Sequence, residues 1–160
     1  MIYERATGVP DPKRCQPGTK ALYETVLFFG AGKLAFNGCY VRRFARGSKT
    51  AWSCHAEGRA FDLNAALPSG KPNPVPVPQG SPADQFIRYW IAVLVWNHVA
   101  LGVQRVIYKQ MEWKVGVGEK TLHPLSSLAK LHANHMHVEM TRDKAKNLTP
   151  VDIRRTLFGK

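Results

Sequence analysis

Two short clusters of nitrogen and oxygen ligands, far apart in the chain, most constrain how it can fold. The first is Trp52-Ser53-Cys54-His55-Ala56-Glu57-Gly58-Arg59-Ala60-Phe61-Asp62-Leu63-Asn64, in which His55 and Asp62 stand seven positions apart. The second is His132-Ala133-Asn134-His135-Met136-His137-Val138-Glu139. No local loop can join them, so a site that uses both must be built in space. Between them, residues 65–82 form a Pro-rich excursion in which Pro72, Pro74, Pro76 and Pro78 occupy every second position. With half of the site on either side of it, this stretch reads as a loop at the rim of a cleft, not as an interdomain linker. The 160 residues are then read as one domain, long enough for one sizeable core.

Residues 1–18 carry prolines, glycines and charges and read as an extended lead-in. Thr19 to Phe29 places Leu22, Val26 and Phe29 on one helical face, and Gly30 and Gly32 end the helix. Leu34 to Phe44 reads as one or two short strands about Asn37-Gly38, with Tyr40 to Phe44 the preferred strand. Ala60 to Leu63 alternates as a short strand carrying Asp62. Ser81-Pro82-Ala83-Asp84 is a helix start: Ser81 caps, Pro82 suits the first helical position, and Asp84 lies near the positive helix end. That helix is expected to run to about Ala100, apolar over most of its surface and central. After Gly102, strands are expected at Val103 to Tyr108, Met111 to Gly118 and Met136 to Met140, with a short helix at Pro124 to Lys130. Residues 141–160 are basic and weakly patterned and read either as a tail packed on the domain or as the lead into a further domain. The fold class expected is α+β, a small antiparallel sheet with flanking helices.

Lys and Arg outnumber Asp and Glu to give a net charge of +12, which implies attraction to a polyanion without choosing between nucleic acid, an anionic wall and a membrane surface. Cys15, Cys39 and Cys54 form no C-x-x-C pair, which disfavours a thiolate zinc knot. They read as small buried fillers, with a Cys39–Cys54 disulfide as the alternative. The N-terminus lacks an apolar signal segment, and the greasiest run, Trp90 to Val103, is broken by Asn97 and His98 and is too short to span a membrane.

The chemistry follows from residue types and spacing. Side chains two apart on a strand share a face, so His135, His137 and Glu139 point the same way. Zinc takes three protein ligands and keeps an open position in catalytic sites, and His55, Asp62 and His137 would supply N, O and N. Such a metal polarises a carbonyl and acidifies water, and His135 is placed to act as the base. Gly58 lets the backbone turn between the first two ligands, Ala60 is small enough to lie beneath a crowded site, and Ser53 either orients His55 or caps a turn. Each ligating imidazole needs an acceptor for its other N–H; Glu57, Glu139 and backbone carbonyls are all candidates. His98 and His123 read as packing or loop residues, and His132 as a cleft-lining or loop histidine.

Ser53-x-His55-x-x-Gly58-x-Ala60-x-Asp62, followed by His135-Met136-His137, resembles the D-Ala-D-Ala carboxypeptidase and endolysin peptidase superfamily. The resemblance spans about Tyr40 to Met140. It is closest to the extensin-like and murein-endopeptidase branch and to peptidase domains of actinobacteriophage endolysins. It implies a hedgehog/D-Ala-D-Ala-peptidase-like fold, zinc on His55, Asp62 and His137, and His135 as catalytic histidine. It also implies a substrate-facing arginine in Tyr40-Val41-Arg42-Arg43, assigned to Arg42 with Arg43 as the alternative. Asn134 stands three before His137, where another branch has a glutamate base, which favours His135 in that role. The implied substrate is a peptidoglycan stem peptide, cut at L-Ala-D-Glu or at a D-Ala-containing bond. The implied protein is a phage lysin, monomeric, made in the host cytoplasm without a signal peptide and acting at the wall, with neither nucleic-acid binding nor membrane insertion.

Two other readings compete. His132, Asn134 and His135 on a basic protein resemble part of a metal-dependent nuclease site, though those sites sit in a hairpin-plus-helix unit. A non-catalytic zinc-containing wall-binding module would keep the ligands and have no use for His135.

Overall fold

A computed structural model of the protein describes residues 1–7, 14–45 and 48–159. Its centre is a six-stranded, wholly antiparallel sheet built from β1 (Leu34–Gly38), β2 (Ala60–Ala65), β3 (Val103–Tyr108), β4 (Met111–Lys114), β5 (Gly118–Thr121) and β6 (His135–Met140). The spatial order is β1-β2-β6-β3-β4-β5. The last strand in sequence is thus inserted between β2 and β3, and its pairing joins the two halves of the chain. With helices packed on this sheet, the class is α+β as expected.

Alternation divides the sheet into two faces. Phe61, Leu63, Met136, Val138 and Met140 are fully buried on one of them, in the same core as Leu22 and Val26 of α1 (Pro17–Phe29) and Ile87, Trp90 and Leu94 of α2 (Pro82–Trp96). Each such large side chain contributes about 1.5–3 kcal/mol on burial. The other face carries Asp62, His135, His137 and Glu139, and the register sets Asp62 directly opposite His137 and Asn64 opposite His135.

The α2 start follows its sequence signals. The Ser81 hydroxyl accepts from the Asp84 N–H, and Pro82 opens the helix. Only one side of α2 is buried, however; Tyr89 and Trp96 are exposed. The helix stops at Asn97, whose side-chain amide donates to the Val93 carbonyl, and α3 (His98–Leu101) follows. Asp84 is buried and accepts from Lys109 Nζ at 2.6 Å, from the Tyr108 hydroxyl at 2.8 Å and from the Gly80 N–H at 2.9 Å. Burial raises its pKa, but these bonds and that from Arg88 outweigh it and hold the carboxyl well below the ordinary range. A lowered folded pKa gives stability that is present above the unfolded value near ~4 and is lost as pH falls through the folded value. Asp84→Asn is therefore expected to flatten the acid limb of a stability–pH curve measured by denaturant unfolding. An acid limb identical to wild type contradicts this role.

Four expectations need correction. The strand before the first ligand cluster is Leu34–Gly38, because Leu34 and Ala35 are buried and pair with β2; Tyr40 to Phe44 is loop, held at Phe44 by a single bridge to Trp52. Met111 to Gly118 is not one strand but the end-to-turn of β4 and β5, while the short helix α4 lies at Ser127–Leu131. The disulfide joins Cys15 to Cys39, which pins the segment before α1 to the loop after β1, and Cys54 is a buried free thiol. Residues 141–159 pack on the domain, and the order they were not expected to show is two helices: α5 (Arg142–Asn147) and α6 (Pro150–Phe158) pack on α1, burying Ala145, Leu148 and Ile153. A capping box at Thr149 and Asp152, with Pro150 at the first helical position, starts α6.

The Pro-rich loop is ordered by backbone bonds such as Asn73 N–H to the Ala65 carbonyl and by burial of Val77. Asn134 donates to the Pro74 carbonyl at 2.9 Å, which ties the loop to the entry of β6. The side-chain amide of Asn64, the cross-strand partner of His135, donates to the Asn73 carbonyl, so the loop lies beside the site-bearing strands. Among the described residues, no helix is long and apolar enough to cross a membrane.

Candidate metal centre

The first ligand is fixed by a tight local turn. Cys54–Glu57 form one 3-10 turn, and the Ser53 hydroxyl accepts from the His55 N–H at 3.3 Å, so Ser53 caps. Gly58 closes the turn at φ +65°, in the left-handed region that favours glycine. A Cβ there would also lie 2.1 Å from the Arg14 carbonyl oxygen. Gly58→Ala is expected to cost more stability than the ~1–2 kcal/mol of left-handed backbone alone. A denaturation curve shifted by less than that contradicts the close approach.

The turn delivers His55 over the sheet face on which Asp62 and His137 are cross-strand partners. His55 Nε2 lies 3.1 Å from His137 Nδ1 and 3.3 Å from Asp62 Oδ2, and His137 Nδ1 lies 2.9 Å from Asp62 Oδ1. All three donors fall within 4.8 Å of one another, so His55, Asp62 and His137 form a group able to hold a metal ion. A tetrahedral zinc site with bonds of ~2.0–2.2 Å has donor–donor edges of roughly 3.3–3.6 Å. The observed spacings are slightly tighter than that, and the donor set of two imidazoles and a carboxylate fits.

The outer nitrogens of both histidines are anchored. His55 Nδ1 meets the Cys39 carbonyl at 2.5 Å, and His137 Nε2 meets Glu139 Oε1 at 3.2 Å. Donation through those nitrogens leaves His55 Nε2 and His137 Nδ1 with lone pairs facing the centre. Of the acceptors foreseen, Glu139 and a backbone carbonyl serve; Glu57 instead binds Arg59 and Arg142.

Burial and close pairing perturb the ionisable groups of this cluster strongly. Burial disfavours charge on His137, yet hydrogen bonds to Asp62 and Glu139 outweigh this and raise its pKa to about 9. Burial likewise raises the two carboxyls, but their bonds to His137, and for Asp62 to His55 as well, prevail and hold both well below the usual range. The His137 ring therefore bridges two carboxylates, Asp62 through Nδ1 and Glu139 through Nε2.

An open cleft of about 640 Å³ leads to these residues. His135 lines it on the same strand face, with Nδ1 2.9 Å from the Asn134 amide oxygen and Nε2 3.8 Å from Asp62 Oδ1. His132, at the end of α4, also lines it. Its Nδ1 faces the Leu128 carbonyl at 2.7 Å, and burial together with the neighbouring His137 charge lowers its pKa to about 3. Arg43 lines the cleft, whereas Arg42 is exposed and does not. Of the pair, it is Arg43, the alternative, that borders the cleft. Tyr3, Arg5, Arg105 and Lys114 also line the cleft and were not singled out from the sequence. Arg105 and Lys114 carry a signal in retrospect, since they share the alternation of the site-bearing face; Tyr3, in a segment without periodic structure, carries none.

Comparison of the chain with protein-family models, with curated proteins and with solved structures gives no match. The functional reading therefore rests on this geometry and on the sequence motif that produces it.

Proposed function

We propose that the protein is a zinc-dependent peptidase that hydrolyses an amide bond in the peptidoglycan stem peptide, at L-Ala-D-Glu or at a D-Ala-containing bond, and that it acts as a phage lysin. The carrying observation is the convergence of His55 Nε2, Asp62 and His137 Nδ1, with the outer nitrogens of both histidines anchored, at the floor of an open cleft that also contains His135. The antiparallel sheet with its site on one face and α1 and α2 packed on the other supports a D-Ala-D-Ala-peptidase-like fold. The Ser-x-His-x-x-Gly-x-Ala-x-Asp motif supports the same assignment, because Ser53 caps the turn, Gly58 adopts positive φ, and Ala60 and Asp62 share the site face.

Zinc bound to the three ligands would supply Lewis acidity, polarising the scissile carbonyl and lowering the pKa of the attacking water. The chain's own residues do the rest. His135, its Nδ1 occupied by Asn134, presents Nε2 to take the proton of the water and later pass it to the leaving amine. Arg43 holds the peptide carbonyl or carboxylate on the cleft wall. His132, neutral at physiological pH, packs beside His135 and His137 at ring distances of 5.0 and 5.3 Å and keeps their rings oriented.

Mass spectrometry of purified peptidoglycan digested by the zinc-loaded protein tests the assignment. New amine ends, absent after chelation, identify both the hydrolase and the bond. Walls of several stem chemistries left without new ends, alongside cleavage of DNA, would move the assignment to a nuclease; wall binding without turnover would move it to a binding module.

A further inference from the structure

We propose that Tyr3 is a positioning residue for the metal ligand His137, acting through Glu139, so that the N-terminal segment is part of the metal centre. This rests on reading His55, Asp62 and His137 as the metal ligands. The Tyr3 hydroxyl donates to Glu139 Oε2 at 2.8 Å, while Glu139 Oε1 takes His137 Nε2 at 3.2 Å and Arg105 Nη1 at 3.4 Å. Both oxygens of a buried carboxylate are thus engaged, one by the N-terminal segment and the other by the ligand. Holding Oε2 fixes the plane of the carboxylate, and that plane sets the direction in which Oε1 meets the imidazole. The rotation of the His137 ring, and with it the aim of Nδ1, follows.

The segment is built to hold Tyr3 there. Residues 1–7 contain neither helix nor strand, yet Tyr3, Glu4 and Thr7 are tied to side chains of the sheet and its surroundings. The Glu4 N–H donates to Gln104 Oε1 at 2.9 Å, and the Glu4 carbonyl accepts from Gln104 Nε2 at 3.0 Å and from Arg59 Nη2 at 2.8 Å. The Glu4 carboxylate accepts from the Arg142 N–H at 2.8 Å, and the Thr7 N–H donates to Glu57 Oε1 at 2.8 Å. The Lys114 ammonium sits 3.9 Å from the Tyr3 ring centroid and clamps the ring against the cleft wall. Fully buried Gln104 spends both ends of its amide on the backbone of Glu4, and fully buried Arg59 adds one of its guanidinium nitrogens.

Loss of a partner to a metal-ligating histidine typically weakens metal affinity about 10–100-fold. Tyr3→Phe removes the hydroxyl and keeps the ring under Lys114, so the fold is retained. Zinc affinity of the full chain is read by competition with a chromophoric chelator, beside the melting temperature of the metal-free protein. Tyr3→Phe is expected to weaken zinc binding about tenfold or more, with metal-free melting near wild type. In a Glu139→Gln background the same change is expected to add nothing further. An unchanged zinc affinity in Tyr3→Phe, or losses that simply add in the double variant, overturns the proposal. Absence of zinc binding by the wild-type protein is a different result: it overturns the metal reading itself, and this inference with it.

Discussion

Replacing His137 with alanine is expected to reduce hydrolysis of stem peptides to the level of the uncatalysed blank. His137 is one of three ligands, and its Nδ1 closes two of the three short donor–donor distances in the site. With only His55 and Asp62 left, the open-site pattern of three protein ligands is gone. The same change removes the group between Asp62 and Glu139. Breaking a buried charge pair from one side costs about 3–5 kcal/mol, so the variant is also expected to unfold earlier in denaturant. Chelation of the wild-type chain separates the two effects. It should abolish turnover with the chain intact, and added zinc should restore it. Turnover that survives both chelation and His137→Ala contradicts a metal-dependent reaction.

His135→Ala is expected to lower kcat by about 10²–10⁴-fold, the range of general acid–base help, while zinc affinity and KM stay near wild type. The geometry separates His135 from the ligands. Its Nε2 is 3.8 Å from Asp62 Oδ1, whereas His55 and His137 lie within 3.3 Å of the carboxylate, and His135 Nδ1 is turned to Asn134. His132 is the internal control. Its Nδ1 is held by the Leu128 carbonyl, and burial is the largest cause that lowers its pKa. His132→Ala should therefore cost less in kcat than His135→Ala. A kcat unaffected by His135→Ala, or a loss of zinc instead, would place that residue in a different role.

The clustering of His55, Asp62 and His137 was legible in part because strand periodicity is a local rule. Alternation put His135, His137 and Glu139 on one face, and the Ser53, Gly58 and Ala60 offsets described a turn leading into a strand. The α2 start was equally local, since Ser81, Pro82 and Asp84 each act within one helical turn. The failures involve partners distant in sequence. Choosing Leu34–Gly38 over Tyr40 to Phe44 as the strand requires knowing that Ala35 pairs with Asn64. The Cys15–Cys39 pairing depends on where the segment before α1 lands, and spacing says nothing about that. Tyr3 meets Glu139 across 136 positions. The two C-terminal helices were missed for another reason. Their buried stripe is only Ala145, Leu148 and Ile153, too thin for periodicity to stand out, although Thr149-Pro150-Val151-Asp152 is a start signal of the kind recognised at Ser81.

The most direct test of the account is a crystal of the zinc-soaked protein measured on both sides of the zinc absorption edge. One anomalous peak is expected, at bonding distance of about 2.0–2.2 Å from His55 Nε2, His137 Nδ1 and an Asp62 oxygen, open toward the cleft and His135. A peak elsewhere on the chain, or none at this centre under zinc that saturates the protein in solution, contradicts the assignment of these three residues as the metal site and the peptidase chemistry built on it.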